Sequence, residues 1–97
     1  MLKKQHNQKK KLTRVTFTLP ANIEGKTVHL LGEFNDWQTS HPLRHLKDGS
    51  WRISLDLTPE REYQFRYLVD DQTWLNDEAA DKYVPNPYGE ENAIVVT

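Results

Sequence analysis

From Val15 onward the chain alternates with period two. Val15, Phe17 and Leu19 are apolar, Thr16 and Thr18 lie between them, and Pro20 ends the run. That alternation predicts a strand with one buried face. "KTVHLLG" predicts a second strand, ended by Gly32. "HPLRHL" predicts a short one, which Pro42 confines to an edge or a strand start. "SWRISLDL" is the clearest: Trp51, Ile53, Leu55 and Leu57 share one face and Arg52, Ser54 and Asp56 the other. Asp48-Gly49 before it reads as a hairpin turn, because both residues tolerate positive φ. "EYQFRYLV" places Tyr63, Phe65, Tyr67 and Val69 inward and Gln64, Arg66 and Leu68 outward. "DDQ" turns the chain and "TWL" returns it. Residues 76–92 are polar and irregular, with Pro85, Pro87 and Gly89, and "NDEAADKY" has the length of one helical turn. "AIVV" is the last strand. Seven short strands at this spacing, without helical periodicity, predict an antiparallel β-sandwich.

The same phases sort the tryptophans. Trp51 falls in the core, in step with Ile53, Leu55 and Leu57. For Trp74 the hairpin register decides. If Val69 pairs with Thr73 across Asp70-Asp71-Gln72, then Leu68 faces Trp74 and Tyr67 faces Leu75, so Trp74 points out. Arg66 is on that outer face, diagonal to Trp74. A slip of one residue would send Trp74 inward. Trp37 closes the polar turn "GEFNDW". It is either a plug folded over the end of the sandwich or an outward contact. Two outward indoles suit the C–H face of a sugar ring, with Arg66, Gln64 and an asparagine bonding hydroxyls at the rim.

Charge narrows the partners. Residues 1–14 carry Lys3, Lys4, Lys9, Lys10, Lys11 and Arg14 and no acid. The remaining body sets seven basic against fourteen acidic side chains. With little to bury and many like charges, residues 1–13 read as a basic flexible tail, and residues 14–97 as the folded domain. An acidic body disfavours nucleic acid and anionic membranes, while a neutral ligand is compatible with it. There is no cysteine, hence neither disulfide nor thiolate metal site. Without an apolar run of membrane-span length or a signal-peptide pattern, the expected location is cytoplasmic.

Catalysis and metal binding find little support. Glu33, Asp36, Asp77, Glu78 and Asp81 are numerous carboxylates, but a glycosidase needs two across a cleft, and a small sandwich offers none. His41 and His45, i and i+4 on a strand, lie roughly 13 Å apart, too far to share an ion. No cofactor-binding motif is present. The chain reads as a non-enzymatic module.

"VHLLGEFNDW", "DGSWRISLDL", "YQFRYLVDDQTWLND" and "PNPYGEENAIVV", in this order, resemble carbohydrate-binding module family 48. This is the isoamylase early-set domain of branching and debranching enzymes and the glycogen-binding domain of the AMP-activated protein kinase β subunit. The likeness runs from about Val15 to Thr97. It implies an immunoglobulin-like, early-set sandwich that binds α-1,4-linked glucans, either polysaccharide or maltooligosaccharide. Trp37 and Trp74 fall on the family's stacking tryptophans. Arg66 falls on a basic residue that bonds hydroxyls, and Asn92 on a sugar-bonding asparagine. Tyr88 replaces an apolar loop residue; it and Asn92 rest on the resemblance alone. V-D-D stands where many members have V-D-G, so Asp71 is expected to carry positive φ. Glu90 and Glu91 make the last loop more acidic than usual, accepting hydroxyl bonds or keeping it wet. No catalytic domain accompanies the module, which implies a free-standing form. The alternative is a docking module for a glycoside hydrolase family 13 or other glycogen-metabolising enzyme.

Overall fold

Alternation lays Val15, Phe17 and Leu19 along one face of strand β2 (Leu12–Leu19), and all three are buried. The computed structural model describes residues 2–97. In it β2 pairs antiparallel with β1 (Leu2–Asn7) on one side and with β5 (Trp51–Leu57) on the other. Strand β4 (Arg44–His45) completes this sheet in the order β1-β2-β5-β4. The second sheet runs β3 (Val28–Gly32), β6 (Glu62–Val69), β9 (Glu91–Val96), β8 (Lys82–Pro85), and β7 (Thr73–Leu75) also pairs with β6. Two antiparallel sheets around one core make a β-sandwich.

The core is aromatic. Phe17 meets Phe65 edge-on at 5.1 Å between centroids, and Phe65 meets Tyr67 at 5.7 Å. Trp51 is 2% exposed, as its phase predicts. Its indole N–H is not stranded: Nε1 donates to the Ile23 carbonyl at 3.2 Å, and the His45 ring stacks on the indole at 3.9 Å. The Tyr67 hydroxyl donates to buried Asp77 at 2.8 Å. Burial first, then the Asp77 charge and hydrogen bond, push its phenol pKa up.

Two segments differ from their sequence reading, and a third fits it but joins both sheets. The stretch read as a flexible tail contains β1, paired residue for residue with β2 from Leu2↔Phe17 to Asn7↔Leu12. Leu2 packs against the core, and the Lys4 ammonium reaches Asp81 at 2.6 Å. The acid that accommodates Lys4 is remote in sequence, so a local count of charge misses it. Residues 82–85, read as irregular, form β8, with Lys82 on Glu62 at 2.7 Å. "HPLRHL" serves both sheets. His41 O and Leu43 N bond β3 in one, and Arg44–His45 pair with β5 in the other. Pro42 sits at the edge of β3 opposite His29, where its missing N–H costs nothing.

Candidate functional site

The opening turn divides its two aromatics. Phe34 points inward, its ring 6.0 Å from both Phe17 and Tyr63. Phe34 is therefore the plug, and Trp37 is outside, 36% exposed. Gly32 begins the turn because a Cβ there would lie 2.6 Å from the Gln64 carbonyl oxygen. Asn35 then holds it together. Its Oδ1 accepts from Gly32 N at 3.0 Å, and its Nδ2 donates to the carbonyls of Leu30 and Gln38 at 2.9 and 3.2 Å. Trp37 N donates to the Gly32 carbonyl, with Asp36 at φ 54° and Trp37 at φ 58°. Left-handed backbone at a tryptophan is uncommon and costs about 1–2 kcal/mol. The surrounding bonds over-determine it, the pattern found where a side chain is held for use.

Strand β6 supplies the centre. One of its edges pairs with β9 over Glu62–Phe65 and with β7 over Tyr67–Val69. Arg66 stands at the gap between those two partners. The β6–β7 register is Val69↔Thr73, Leu68↔Trp74 and Tyr67↔Leu75, so Trp74 lies on the outer face, 43% exposed. The turn between them places both Asp70 and Asp71 at positive φ, where only Asp71 was expected. Asp70 is anchored by accepting from Lys26 N and Thr27 N at 2.7 and 3.0 Å, and those backbone bonds hold its carboxyl pKa below the usual range.

The Arg66 guanidinium lies 5.6 Å from the Trp74 ring centroid, within cation–π range. Its Nη1 pairs with Glu90 at 2.8 Å, and its Nε is buried without a partner. Glu90 belongs to the loop after β8, which is built on one side chain: Asn86 Oδ1 accepts from Tyr88 N and Glu90 N at 3.0 and 3.1 Å. Gly89 supplies φ 79° for the tight reversal, and Tyr88 is thrust out, 88% exposed. Asn92, at the start of β9, accepts from Asn86 Nδ2 at 3.1 Å and donates to Gln64 Oε1 at 3.0 Å.

Trp37, Arg66, Trp74, Tyr88 and Asn92 thus line one groove of about 700 Å³, with Gln64 and Glu90 between them. Leu31, Leu68 and Ile94 lie on the same outer face of this sheet and are buried. Neither turn nor loop would form the groove alone; the 33–37 turn, β6–β7 and the 86–92 loop meet there. A second hollow of about 560 Å³ follows the β1–β2 hairpin, lined by Lys9, Lys10 and Arg14 but by no tryptophan, tyrosine or phenylalanine. Among the described residues no three metal-ligating side chains gather. His41 Nδ1 is engaged by Asn35 and Ser40, and His45 by Trp51 and Gly49. Residue-by-residue reading missed Asn35 and Asn86, whose importance lies in bonds to backbone. It also missed the Glu90–Arg66 pair, for which the only sequence signal is an acid in a loop near an outward arginine.

Two exposed indoles beside hydrogen-bonding groups in one groove of a β-sandwich are the arrangement of a carbohydrate-recognition module. The comparison with known families is specific. The chain belongs to the family described as the glycogen recognition site of AMP-activated protein kinase, whose model matches residues 6–97. Among curated proteins it is similar to the 5'-AMP-activated protein kinase subunit beta-1 of Sus scrofa, 39% identical over 73% of this chain and 54% of that one. The beta-2 subunits of Mus musculus and Homo sapiens are 38% identical over 55% of this chain and 18% of theirs. The chain therefore spans about half of one relative and under a fifth of the others. The module is non-catalytic and of the glycogen-binding type. Among the described residues no helix is long and apolar enough to cross a membrane.

Proposed function

We propose that an α-1,4-linked glucan chain binds along the groove, with Trp37 and Trp74 stacking on glucose faces. Arg66 and Asn92 bond hydroxyls at the rim, and Tyr88 covers the chain from the loop side. The observation that carries this reading is the convergence of two outward indoles, from separate segments, on one groove with hydrogen-bonding groups between them. A strained backbone holding Trp37 outward supports it further. A neutral ligand suits the groove, because Glu90 already offsets the charge of Arg66. On this reading the module works in the cytoplasm, beside glycogen. Native electrophoresis through gels with and without glycogen tests the reading. Retardation by glycogen that is lost in Trp37→Ala and Trp74→Ala supports it, and equal migration in both gels counts against it.

The exposure of Tyr88 favours a second reading, since a phenol at 88% exposure presents more apolar area than a single glucan strand needs. In that reading the same face docks on a glycogen-metabolising enzyme, family 13 glycoside hydrolases included. Retention of such an enzyme by the chain in the absence of glucan, lost in Tyr88→Ala, distinguishes the two.

A further inference from the structure

The three side-chain amides beneath the loop form a relay whose direction is fixed. An amide flipped end for end fits the same space, so its polarity must come from its partners. At Asn86 the partners decide. Tyr88 N and Glu90 N are backbone donors, and both point at one atom of the Asn86 amide. That atom must be the carbonyl oxygen, so the Asn86 NH2 faces Asn92. The facing atom of Asn92 is then its oxygen, and its own NH2 faces Gln64. The facing atom of Gln64 is its oxygen in turn. Its Nε2, with two N–H groups, makes no hydrogen bond among the described residues, on a side chain that lines the groove. The backbone of Gln64 is fixed as well, because its N–H donates to the Glu33 carboxylate at 2.6 Å.

We infer that Gln64, already expected at the rim, meets the ligand as a donor whose polarity is set at a distance by the Asn86–Asn92 relay. It donates to an acceptor oxygen of the bound sugar, a hydroxyl or a ring oxygen. This rests on the glucan reading above. Arg66 lies two residues along the same outer face, so Gln64 and Arg66 present adjacent donors to the ligand. Asn92 fills its role partly through Gln64: both ends of its amide are already engaged, and each retains capacity for one further bond.

Two isosteric changes test the relay with maltoheptaose as the probe. Gln64→Glu still accepts from Asn92 but donates nothing when ionised. Asn86→Asp still accepts the two backbone N–H groups but cannot donate to Asn92. Asn92 then turns, and Gln64 turns after it to present its oxygen. Each variant is expected to weaken maltoheptaose about five- to tenfold at neutral pH, the scale of one hydrogen bond. The double variant is expected to weaken it no more than either single one, because both remove the same donor. The weakening by Gln64→Glu relative to wild type should also shrink as pH falls towards about 4, where a protonated carboxyl donates again. Glu33, Arg66 and Glu90 border the same region, so each variant is compared with wild type at the same pH. Multiplying losses in the double variant would overturn the relay. Wild-type affinity in Gln64→Glu would overturn the donor assignment while leaving the glucan reading intact. Absence of maltoheptaose binding by the unaltered chain would overturn both.

Discussion

Asn35→Ala separates the holding of Trp37 from the chemistry of Trp37 itself. The substitution removes three side-chain bonds to backbone: Gly32 N at 3.0 Å, Leu30 O at 2.9 Å and Gln38 O at 3.2 Å. Each is worth about 0.5–1.5 kcal/mol net, and the turn is partly exposed, so water recovers some of the loss. Against this, a loosened turn releases the strain of left-handed backbone at Asp36 and Trp37, about 1–2 kcal/mol each. A turn that relaxes only in part recovers only part of that strain, and the expected loss of global stability is about 1–2 kcal/mol. The position of Trp37 has no such compensation. Once the turn relaxes, the indole leaves the groove wall and its stacking is lost. Maltoheptaose should bind at least about tenfold more weakly by calorimetric titration, a change of about 1.4 kcal/mol. Asn35→Ala combined with Trp37→Ala should lose no more affinity than Trp37→Ala alone. Wild-type affinity in Asn35→Ala, with stability reduced as expected, would refute the claim that this turn holds Trp37 for binding.

Trp51→Ala is expected to lower stability by about 3–5 kcal/mol in urea unfolding, as a fully packed indole is removed from the core. Deleting residues 1–7 removes β1 and the Lys4–Asp81 pair, so it should lower the melting temperature while leaving maltoheptaose affinity within about twofold. Asp48, Asp56 and Asp70 have pKa values held low by hydrogen bonds from Ser50, Arg14 and the 26–27 backbone. Their contribution is present above the unfolded carboxylate pKa, about 3.9, and falls away as pH drops through the lower folded values, which an acid titration of the melting temperature will read. The Tyr67 phenol is shifted the other way. Its contribution is whole below about pH 10 and is lost as pH rises through its raised folded value, an alkaline loss that Tyr67→Phe should remove.

Strand phase was legible wherever the chain alternates, because a buried face imposes period two on the sequence. Trp51, Trp74 and Arg66 could be placed that way, and the structure puts them where the register predicts. Trp37 was not decidable from period, since "GEFNDW" is a turn. The answer depended on Phe34, which fills the end of the sandwich in its place. Strand β1 was hidden by its own charge: lysines that look solvated in sequence lie along an edge strand, one of them on Asp81. Strand β8 is four residues ending in proline, below the length at which alternation can be read. Tyr88 and Asn92 could be named only through likeness to a family, because a loop residue carries no periodic signal. Their place in the groove comes from Asn86, which folds the loop by bonding its backbone.

On the glucan reading two indoles form the walls of the site, while the third belongs to the core. Titration of the chain with maltoheptaose, followed through the three indole N–H resonances, tests it most directly. The Trp37 and Trp74 signals are expected to shift saturably with a Kd between about tens of micromolar and millimolar, and the Trp51 signal to barely move, since its N–H stays on the Ile23 carbonyl. Because the ligand is neutral, those shifts should saturate at nearly the same concentration in low and high salt. Trp37 and Trp74 signals that stay unmoved at millimolar maltoheptaose would contradict it.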